Sequence, residues 1–443
     1  MSAPTIAPAT APEFTSWTRQ AQARAAHEPA WLRARRERAA AVAGALPVPD
    51  RRAELWRRTD FGVLDWAALK PFATPAPHGF QHVPDAVRAR LGDAPESAAA
   101  LVQRNATVVW EHTPDALARQ GVVVCDIARA LREFGERIEP RLHSLIDTDH
   151  DLYTALQQAV HEGGAFVWVP DGVALDTPIR LFQWLDGEGA VNAPASVIVI
   201  GRGAHATVIE ELVSEGAHGA AFHLGSSEVW VGDDARLVYG HLQEWGPNVV
   251  HYSNQRAHVG RNAELQWIQT MLGGRTTKTN SYWSMTAPGG QVYVHGFMFG
   301  DRRQHLDLHT LQKHLADHCT SDLLIKTCLK DRARSIYQGL IQVAEGAQRT
   351  DAYQANRNLL LSDTARADSI PGLEILANDV RCTHGATIGN VDEEQMFYLM
   401  ARGLPRNEAQ RLIVEGFFAP VLDRIPLEGV RDRLRGAIQH KIG

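Results

Sequence analysis

The sequence predicts a mainly β protein in which a long central stack of β-coils lies between two α-helical regions. The first observation behind this prediction is that short apolar runs alternate with turns rich in Gly, Asp and Asn between about Ala165 and Gly389. The second is that the early turns repeat roughly every 27–31 residues, which is typical of coils that bury their apolar sides by stacking. A parallel β-helix is therefore favoured, and an all-β sandwich is the alternative that the pattern leaves open.

The region before the stack, residues 14–162, is predicted to be mostly helical. Residues 1–13 contain three prolines and are expected to form a flexible tail. Strong helix formers fill residues 14–44, whereas four prolines make residues 71–84 a linker. Shorter helices are predicted at 115–118, 126–134 and 151–161.

The stack itself is assigned to residues 163–391, and its turns share one pattern. A short apolar run stops at a tripeptide that begins with Gly, and a small residue then opens the next run. The clearest cases are Gly201-Arg202-Gly203 before Ala204, Gly232-Asp233-Asp234 before Ala235, and Gly260-Arg261-Asn262 before Ala263. Gly, Asp and Asn tolerate the tight backbone conformations that such turns require.

Residues 392–443 return to helical periodicity. Asp392 can accept the first backbone N–H groups of a helix at 393–402, and Gly403 can end that helix. Pro405 is placed to open a second helix, which Pro420 is expected to kink or end. A last helix is predicted at about 428–441.

Composition argues against several classes of protein. A formal charge of -6 disfavours a nucleic-acid binder, and no stretch approaches the ~18 uninterrupted apolar residues of a membrane span. The first residues lack the basic flank and apolar run of a secretory signal, so the expected compartment is the cytoplasm. The four cysteines are too widely spaced for a disulfide framework or a local zinc or iron–sulfur site: Cys125, Cys319, Cys328 and Cys382.

The common catalytic motifs are absent from the sequence. It has no phosphate-binding P-loop, no esterase elbow and no HExxH zinc motif. Glu210-Glu211 and Glu393-Glu394 are sequence neighbours, and neighbours on a strand point to opposite faces, so neither pair suits a hydrolytic dyad. We expect these four carboxylates to be solvated surface charge.

One cluster contains residue types that bind zinc, namely His309, His314, His318 and Cys319. On a helix, His314 and His318 would share a face. However, no helix is signalled there, and loop or surface histidines are the favoured interpretation.

The segment around Cys382 and His384 is the most informative one. On a strand, residues two apart project to the same face, so the thiol and the imidazole would lie side by side. Such a pair could lower the pKa of the cysteine and offer two ligands for iron or sulfur. Two ligands do not hold a cluster, so the others would come from a second chain. The alternative is that Cys382 packs within the stack and His384 makes a structural hydrogen bond.

Several short motifs along the chain form a larger pattern. They are ELWRRTDF at 54–61, NRNLLL at 356–361, IPGLEI at 370–375, CTHGATIG at 382–389, DEEQ at 392–395, FYL at 397–399 and ARG at 401–403. Together they resemble the SufB/SufD family of iron–sulfur cluster assembly proteins over most of the chain. The C-x-H-G-A-T-x-G form, the chain length and the few cysteines resemble the SufD type more than the SufB type.

The resemblance implies a right-handed parallel β-helix between helical end domains. It also implies a non-enzymatic scaffold subunit in a complex of SufB, SufD and two copies of the ABC-type ATPase SufC. The ATPase contacts would lie in the C-terminal helical region. The candidate contact residues are Phe397, Tyr398, Arg402, Arg406, Leu412, Ile413, Phe417 and Phe418.

The resemblance further implies pairing with a SufB-like chain through the β-helix edge, with an iron–sulfur cluster forming transiently near that junction. His384 is the candidate ligand from this chain, with Cys382 beside it, and the principal thiolate would come from SufB. No catalytic residue, resident metal, stably bound cofactor, nucleic acid or membrane is expected to be involved. Two alternatives stay open: a self-sufficient homodimer that binds a cluster or metal, and a β-helix enzyme acting on carbohydrates.

Overall fold

A computed structural model of the chain describes residues 12–72, 76–92, 97–214, 219–425 and 427–442. Most of the predicted tail at 1–13, and three positions of the predicted linker at 71–84, lie outside these described residues. The described chain is a parallel β-solenoid of about eight turns with helices at its N-terminal and C-terminal ends. This confirms the predicted fold class over the sandwich, while the right-handed sense of the coil stays a prediction.

The N-terminal part contains seven described α-helices before the first long solenoid strands. They are α1 (Pro12–Arg24), α2 (Ala30–Ala45), α3 (Asp85–Leu91), α4 (Asp115–Arg119), α5 (Ile127–Glu133), α6 (Gly135–Ile138) and α7 (Leu152–Val160). The helix former-rich stretch 14–44 is two helices, because Pro29 interrupts it at the start of α2. None of the described helices has the length and apolar composition needed to cross a membrane.

Twenty strands are described. They are β1 (Ala100–Arg104), β2 (Thr107–His112), β3 (Val123–Asp126), β4 (Ala165–Val169), β5 (Ile179–Leu185), β6 (Val191–Asn192), β7 (Ala195–Ile200), β8 (His205–Ser214), β9 (Ala221–Val231), β10 (Arg236–Glu244), β11 (Val249–Val259), β12 (Glu264–Met271), β13 (Thr276–Met285), β14 (Gln291–Gly300), β15 (His305–His314), β16 (Thr320–Leu329), β17 (Arg334–Val343), β18 (Thr350–Leu360), β19 (Arg366–Ile375) and β20 (Val380–Asn390). The sequence analysis did not predict β1, β2 and β3, which lie within the region expected to be mostly helical.

The strands form two sheets that face each other. The first sheet has the order β2-β1-β5-β8-β10-β12-β14-β16-β18-β20, and the second runs β19-β17-β15-β13-β11-β9-β7-β4-β3, with β6 beside β9. Successive strands from β7 onward alternate between the sheets, and neighbours within a sheet are parallel. One coil takes 26 to 32 residues, as the pairs Val250 with Thr276 and Arg334 with Arg366 show.

The predicted turns are present at the corners of the coils. Asp234 and Asn262 have φ angles of 57° and 51°, the left-handed conformation that Asp and Asn tolerate. The carboxylate of Asp233 accepts a hydrogen bond from the backbone N–H of Arg261 at 2.8 Å, which ties one turn to the next. The small residues after the turns are fully buried, because the corner of each coil packs on the corner below it: Ala204, Ala235 and Ala263.

Helices cover the outer face of each sheet. The helices α1, α2 and α7 pack on the second sheet through buried side chains such as Phe222 and Tyr252. The C-terminal helices are α8 (Glu393–Ala401), α9 (Arg406–Leu422) and α10 (Glu428–Ile442), and α9 and α10 pack on the first sheet through Leu242 and Phe297. Pro420 does not end α9 at once, since the helix continues for two more residues.

Candidate functional site

The two ends of the solenoid differ. At the first end, the antiparallel pairs β1–β2 and β3–β4 close the two sheets. At the other end, β20 is the final strand of the first sheet and β19 that of the second, and no further strand of the described chain stacks on them. Most residues of β20 are exposed, and those of β19 are mainly half-buried or exposed. The backbone groups along such an edge are available to pair with another chain.

Cys382 and His384 lie on this last strand. In β20, Cys382 aligns with Ala352 of β18, and His384 aligns with Gln354. Cys382 packs against the buried cluster around Ile341 between the two sheets, so its face of β20 points into the solenoid. His384 follows two residues later and therefore lies on the same face. Its imidazole is exposed because no described coil stacks on it.

The environment of Cys382 corrects one expectation. Burial raises the pKa of its thiol above the ordinary value, and the nearby carboxylate of Asp351 raises it further. The sequence analysis had expected the adjacent imidazole to lower this pKa. A thiol that is protonated at neutral pH is a weaker nucleophile and a weaker metal ligand than a thiolate. In the chain alone, His384 is therefore the better available ligand of the two.

Gln354 is part of this end of the solenoid, and the sequence analysis did not single it out. Its side chain is fully buried, yet neither its amide nitrogen nor its amide oxygen has a hydrogen-bond partner among the described residues. A Cβ on Gly339 would lie 2.5 Å from the amide oxygen, so the absence of a side chain at Gly339 makes room for Gln354. An unpaired buried amide is costly, and this one lies directly beside His384 in the register.

The helix after β20 presents two aromatic side chains to solvent. Asp392 caps α8, because its carboxylate accepts the backbone N–H groups of Glu394 at 2.8 Å and Gln395 at 3.2 Å. The side chains of Phe397 and Tyr398 are 74% and 58% exposed. Large exposed aromatic groups on a capped helix are typical of a surface that binds another protein.

Polar candidates surround these aromatic residues. The guanidinium of Arg402 lies 5.0 Å from the ring of Tyr398, and Arg406 donates to Glu393 at 2.8 Å, which links α8 to α9. Leu412 is also exposed, whereas Ile413 is half-buried. Tyr398 of α8 and Ile413 of α9 line the same shallow cavity between the two helices.

Phe418 is not part of an exposed surface, which corrects its assignment as a contact candidate. Its side chain is fully buried against Phe297 and Phe299, with ring centroids 5.2 and 6.2 Å away. The preceding residue, Phe417, is half-buried, and the ammonium of Lys326 lies 4.7 Å from its ring. Both phenylalanines fasten α9 to the first sheet, because the apolar stripe of this helix faces the solenoid.

The four zinc-type residues are kept apart by the fold. His309 and His314 lie in β15, where residues five apart point to opposite faces. His318 occupies a turn with φ of 57°, and Cys319 is buried in the row of small residues at a coil corner. Among the described residues, no group of three or more His, Cys, Asp or Glu side chains could hold a metal ion.

The pair Glu210-Glu211 is buried, which corrects the expectation of solvated charge. Glu210 points into the solenoid, where it accepts hydrogen bonds from Gln183 at 2.7 Å and from Tyr239 at 2.5 Å. Glu211 points outward beneath a group of arginines that includes Arg433 of α10. The predicted opposite orientation of the two side chains is confirmed, and their burial was missed because their partners are distant in sequence. Glu393 and Glu394 are exposed as expected.

Fold and site together define a β-solenoid protein with one closed end and one open end, the open end carrying an exposed imidazole. The model of the SUF system FeS cluster assembly SufBD core domain matches residues 183–417, and that of the SufBD protein N-terminal region matches residues 91–181. The chain belongs to the SufB/SufD family of iron–sulfur cluster assembly proteins and is of the SufD type, which confirms the resemblance.

Three curated relatives illustrate the range of similarity. The iron–sulfur cluster assembly protein SufD of Bacillus subtilis (strain 168) is 30% identical over 94% of this chain and 95% of its own length. An iron–sulfur cluster assembly SufBD family protein of Staphylococcus epidermidis is 26% identical over 90% of this chain and 87% of its own length. A SufBD family protein of Mycobacterium tuberculosis is 34% identical over 60% of this chain and 68% of its own length.

Proposed function

We propose that this chain is a cytoplasmic, non-enzymatic scaffold subunit that pairs with a SufB-like chain and with a SufC-like ABC ATPase during iron–sulfur cluster assembly. The observation that carries the proposal is the uncovered last coil, which presents His384 beside an unpaired strand edge. A closed solenoid would offer neither a free edge nor an accessible ligand. Membership in an iron–sulfur cluster assembly family supplies the chemical context.

The SufB-like partner would extend the solenoid at its open end. Exposed apolar side chains lie on the last two coils, including Leu373, Leu376 and Ile388. Burying them against a second solenoid adds hydrophobic stabilisation to the backbone hydrogen bonds of strand pairing. The partner would also bring its own side chains next to His384.

The cluster would form as cargo at this junction. An imidazole nitrogen is a common iron ligand, and the exposed His384 offers one at the open end of the solenoid. Cys382 is half-buried with a raised thiol pKa, so the principal thiolate is assigned to the SufB-like chain. This chain therefore contributes one ligand and a rigid wall, and the assembled pair completes the site.

The ATPase would bind the surface formed by Phe397, Tyr398 and Leu412 on α8 and α9. Because α9 is packed on the first sheet, movement of α8 and α9 is transmitted to the solenoid. ATP binding that draws two ATPase copies together would bias the junction between a closed and an open state. The open state would admit iron and sulfur to the buried thiolate.

The test is co-expression of the chain with its SufB-like and SufC-like partners, followed by purification and measurement of bound iron and sulfide. We expect the three proteins to co-purify and His384→Ala to lower the cluster yield several-fold without loss of assembly. His205→Ala, which changes an exposed histidine on β8, is the matched control and should retain the full yield. Normal yield with His384→Ala in an intact complex would remove His384 from the site.

The ATPase surface is tested by the change Phe397→Asp. A carboxylate in the middle of an apolar contact loses solvation without gaining a partner, so we expect the ATPase to be lost from the purified complex while the SufB-like chain stays. Val48→Asp introduces the same charge at an exposed valine after α2 and should leave the complex complete. Retention of the ATPase by Phe397→Asp would contradict the assignment of α8.

The exposed edge also allows a second copy of the chain to pair in place of the SufB-like partner. The same purification distinguishes the two arrangements, because the chain expressed alone reports its own state. A homodimer that carries iron and sulfide without partners would favour the self-sufficient scaffold. A chain free of iron and sulfide until the SufB-like partner is added supports the proposal.

A further inference from the structure

A cavity of about 860 Å³ opens on the flank of the solenoid, and no residue of β20, the strand that carries His384, lines it. Three parts of the protein form its walls. The segment after α2 supplies Arg51 and Arg58, the corners before β13 and β15 supply Arg275 and Arg302, and the end of α10 supplies Lys441. Neither the cluster site nor the partner surfaces proposed above use this cavity.

Some of its charged groups are already paired, and these pairs make the cavity walls rigid. Lys441 donates to Asp301 at 3.0 Å and to Gln304 at 2.7 Å, which joins α10 to the corner before β15. The hydroxyl of Thr59 lies 2.8 Å from Nε2 of His305, which joins the N-terminal segment to the same strand. These contacts hold the cavity open in the chain alone. They do not involve the other cationic side chains that line it.

Five further guanidinium groups line the cavity without an ion pair or hydrogen bond from their side chains to any other described residue. They belong to Arg51, Arg58, Arg275, Arg302 and Arg303. The remaining lining carboxylate is Asp60, which accepts the backbone N–H of Gly62. Positive charge thus accumulates in one concave place on a chain whose formal charge is -6. Mutual repulsion of these cations is relieved when a multivalent anion enters.

The guanidinium group indicates which anion fits. Its planar fork donates two parallel hydrogen bonds to a phosphate, and arginine prefers such bidentate partners over point contacts. Apolar residues also line the cavity, among them Trp245, Pro247 and Leu272. The volume is in the range of small-molecule sites, which combine an apolar wall with a few polar anchors. A small organic phosphate can contact both the arginines and the apolar lining residues, whereas a long acidic peptide would exceed the volume of the cavity.

We propose that this cavity is a binding site for a small organic polyphosphate of the nucleoside diphosphate or triphosphate class. The phosphates contact the arginines of the N-terminal segment and of the solenoid corners, and the organic part contacts the apolar lining residues. This inference does not depend on the proposed scaffold function, because it uses different residues and a different ligand.

The test is isothermal titration of the full chain with pyrophosphate, ADP, ATP, adenosine and citrate at physiological ionic strength. We expect saturable one-to-one binding of ADP and ATP, weaker binding of pyrophosphate, and no binding of adenosine. The double change Arg302→Glu with Arg303→Glu should weaken ADP binding by about tenfold or more, since charge-assisted bidentate bonds are lost. The neutral variant Arg303→Gln, which disturbs folding less, should weaken it in the same direction.

The matched control is Arg261→Glu, an exposed arginine in the equivalent type of corner on another part of the solenoid. It should leave ADP binding within twofold and the thermal unfolding midpoint unchanged. Equal weakening by Arg261→Glu and by the cavity variants would reduce the binding to general charge attraction and overturn the proposal. Absence of saturable ADP and ATP binding, or tighter binding of citrate than of ADP, would overturn it as well.

Discussion

Three histidines fill part of the solenoid interior and remain neutral there. His223 of β9 and His251 of β11 stack with ring centroids 4.7 Å apart, and His241 of β10 faces them from the first sheet. The indole N–H of Trp245 donates to Nδ1 of His251 at 3.0 Å, so this nitrogen is the acceptor and carries no proton. Burial holds the pKa of all three below the ordinary value, to about 3 for His223 and about 4 for His241.

This cluster predicts that the folded chain loses stability as the pH falls below about 6.5. The unfolded chain binds a proton on each histidine there, whereas the folded chain binds it only near the depressed pKa, so acid favours unfolding. Between the ordinary pKa of 6.5 and pH 5, each buried histidine lowers the free energy of unfolding by about 2 kcal/mol, at ~1.4 kcal/mol per pH unit. Urea unfolding of wild type and His223→Phe at pH 7.5 and pH 5 measures the effect.

The variant His223→Phe keeps a stacked ring but cannot be protonated, so its loss of unfolding free energy between the two pH values should be smaller by about that amount. The change His205→Phe, at an exposed position, should leave the wild-type pH dependence unaltered. If His223→Phe and wild type lose the same free energy, His223 does not contribute to the acid sensitivity.

At the scale of the element, the exposed strand β20 is the edge at which the proposed SufB-like partner would pair. Ile388 is 49% exposed. It lies on the same face of β20 as Cys382 and His384, because side chains an even number of residues apart on a strand share a face. A lysine on an edge strand opposes pairing because its charge would be desolvated by the incoming strand. We expect Ile388→Lys to weaken association with the SufB-like partner by about tenfold or more while leaving the isolated chain folded.

The association is measured by titrating labelled partner into the chain, with circular dichroism as the check on folding. Leu315→Lys is the matched control, since Leu315 is a similarly exposed aliphatic residue at a coil corner away from β20. Association unchanged by Ile388→Lys, with Leu315→Lys also unchanged, would exclude β20 as the pairing edge.

Local signals predicted many elements but not how they are assembled. The corners at Asp234 and Asn262 and the cap at Asp392 were predictable because turn and cap chemistry depends on neighbours within a few residues. Strands β1 and β3 were missed because they are short and pair with strands distant in sequence, β5 and β4. Strand β2 pairs with β1 in a local hairpin, whose turn at Asn105 the sequence analysis did not single out. The sequence could not predict that the buried amide of Gln354 lacks a hydrogen-bond partner, because this follows only from the stacking of coils around it.

The features of the candidate site also fall into those that local sequence predicts and those that depend on tertiary packing. The shared face of Cys382 and His384 follows from strand periodicity, and the exposure of Phe397 agrees with its expected place on the surface. The burial of Phe418 was not predictable, because the helical period shows which residues share a face but not whether that face meets solvent or a sheet. The raised pKa of Cys382 likewise depends on packing by residues from other coils.

At the scale of the whole molecule, one buried carboxylate joins both helical regions to the solenoid. Glu211 of β8 is fully buried and accepts hydrogen bonds from Arg90 of α3 at 3.2 Å, from Arg180 of β5 and from Arg433 of α10. Glu244 of β10 adds a second carboxylate, 2.8 Å from Arg90. Among the described residues, α3 and α10 thus share an ionic junction on the first sheet.

This junction predicts that Glu211→Gln loosens both helical regions together. The change removes the carboxylate that pairs with three partly buried guanidinium groups, of which Arg90 and Arg433 keep a contact with Glu244. Breaking such a network by removing one partner costs about 3–5 kcal/mol. Hydrogen exchange should accelerate in α3 and α10 more than in the inner strands β11 and β13, because the helices lose their anchor while the stacked coils keep theirs. Glu408→Gln, at an exposed position of α9, controls for the loss of one negative charge and should change neither the exchange rates nor the unfolding free energy. Faster exchange spread evenly over strands and helices would instead mean that the solenoid and its helical layers unfold as one unit, with Glu211 stabilising the whole and not the junction.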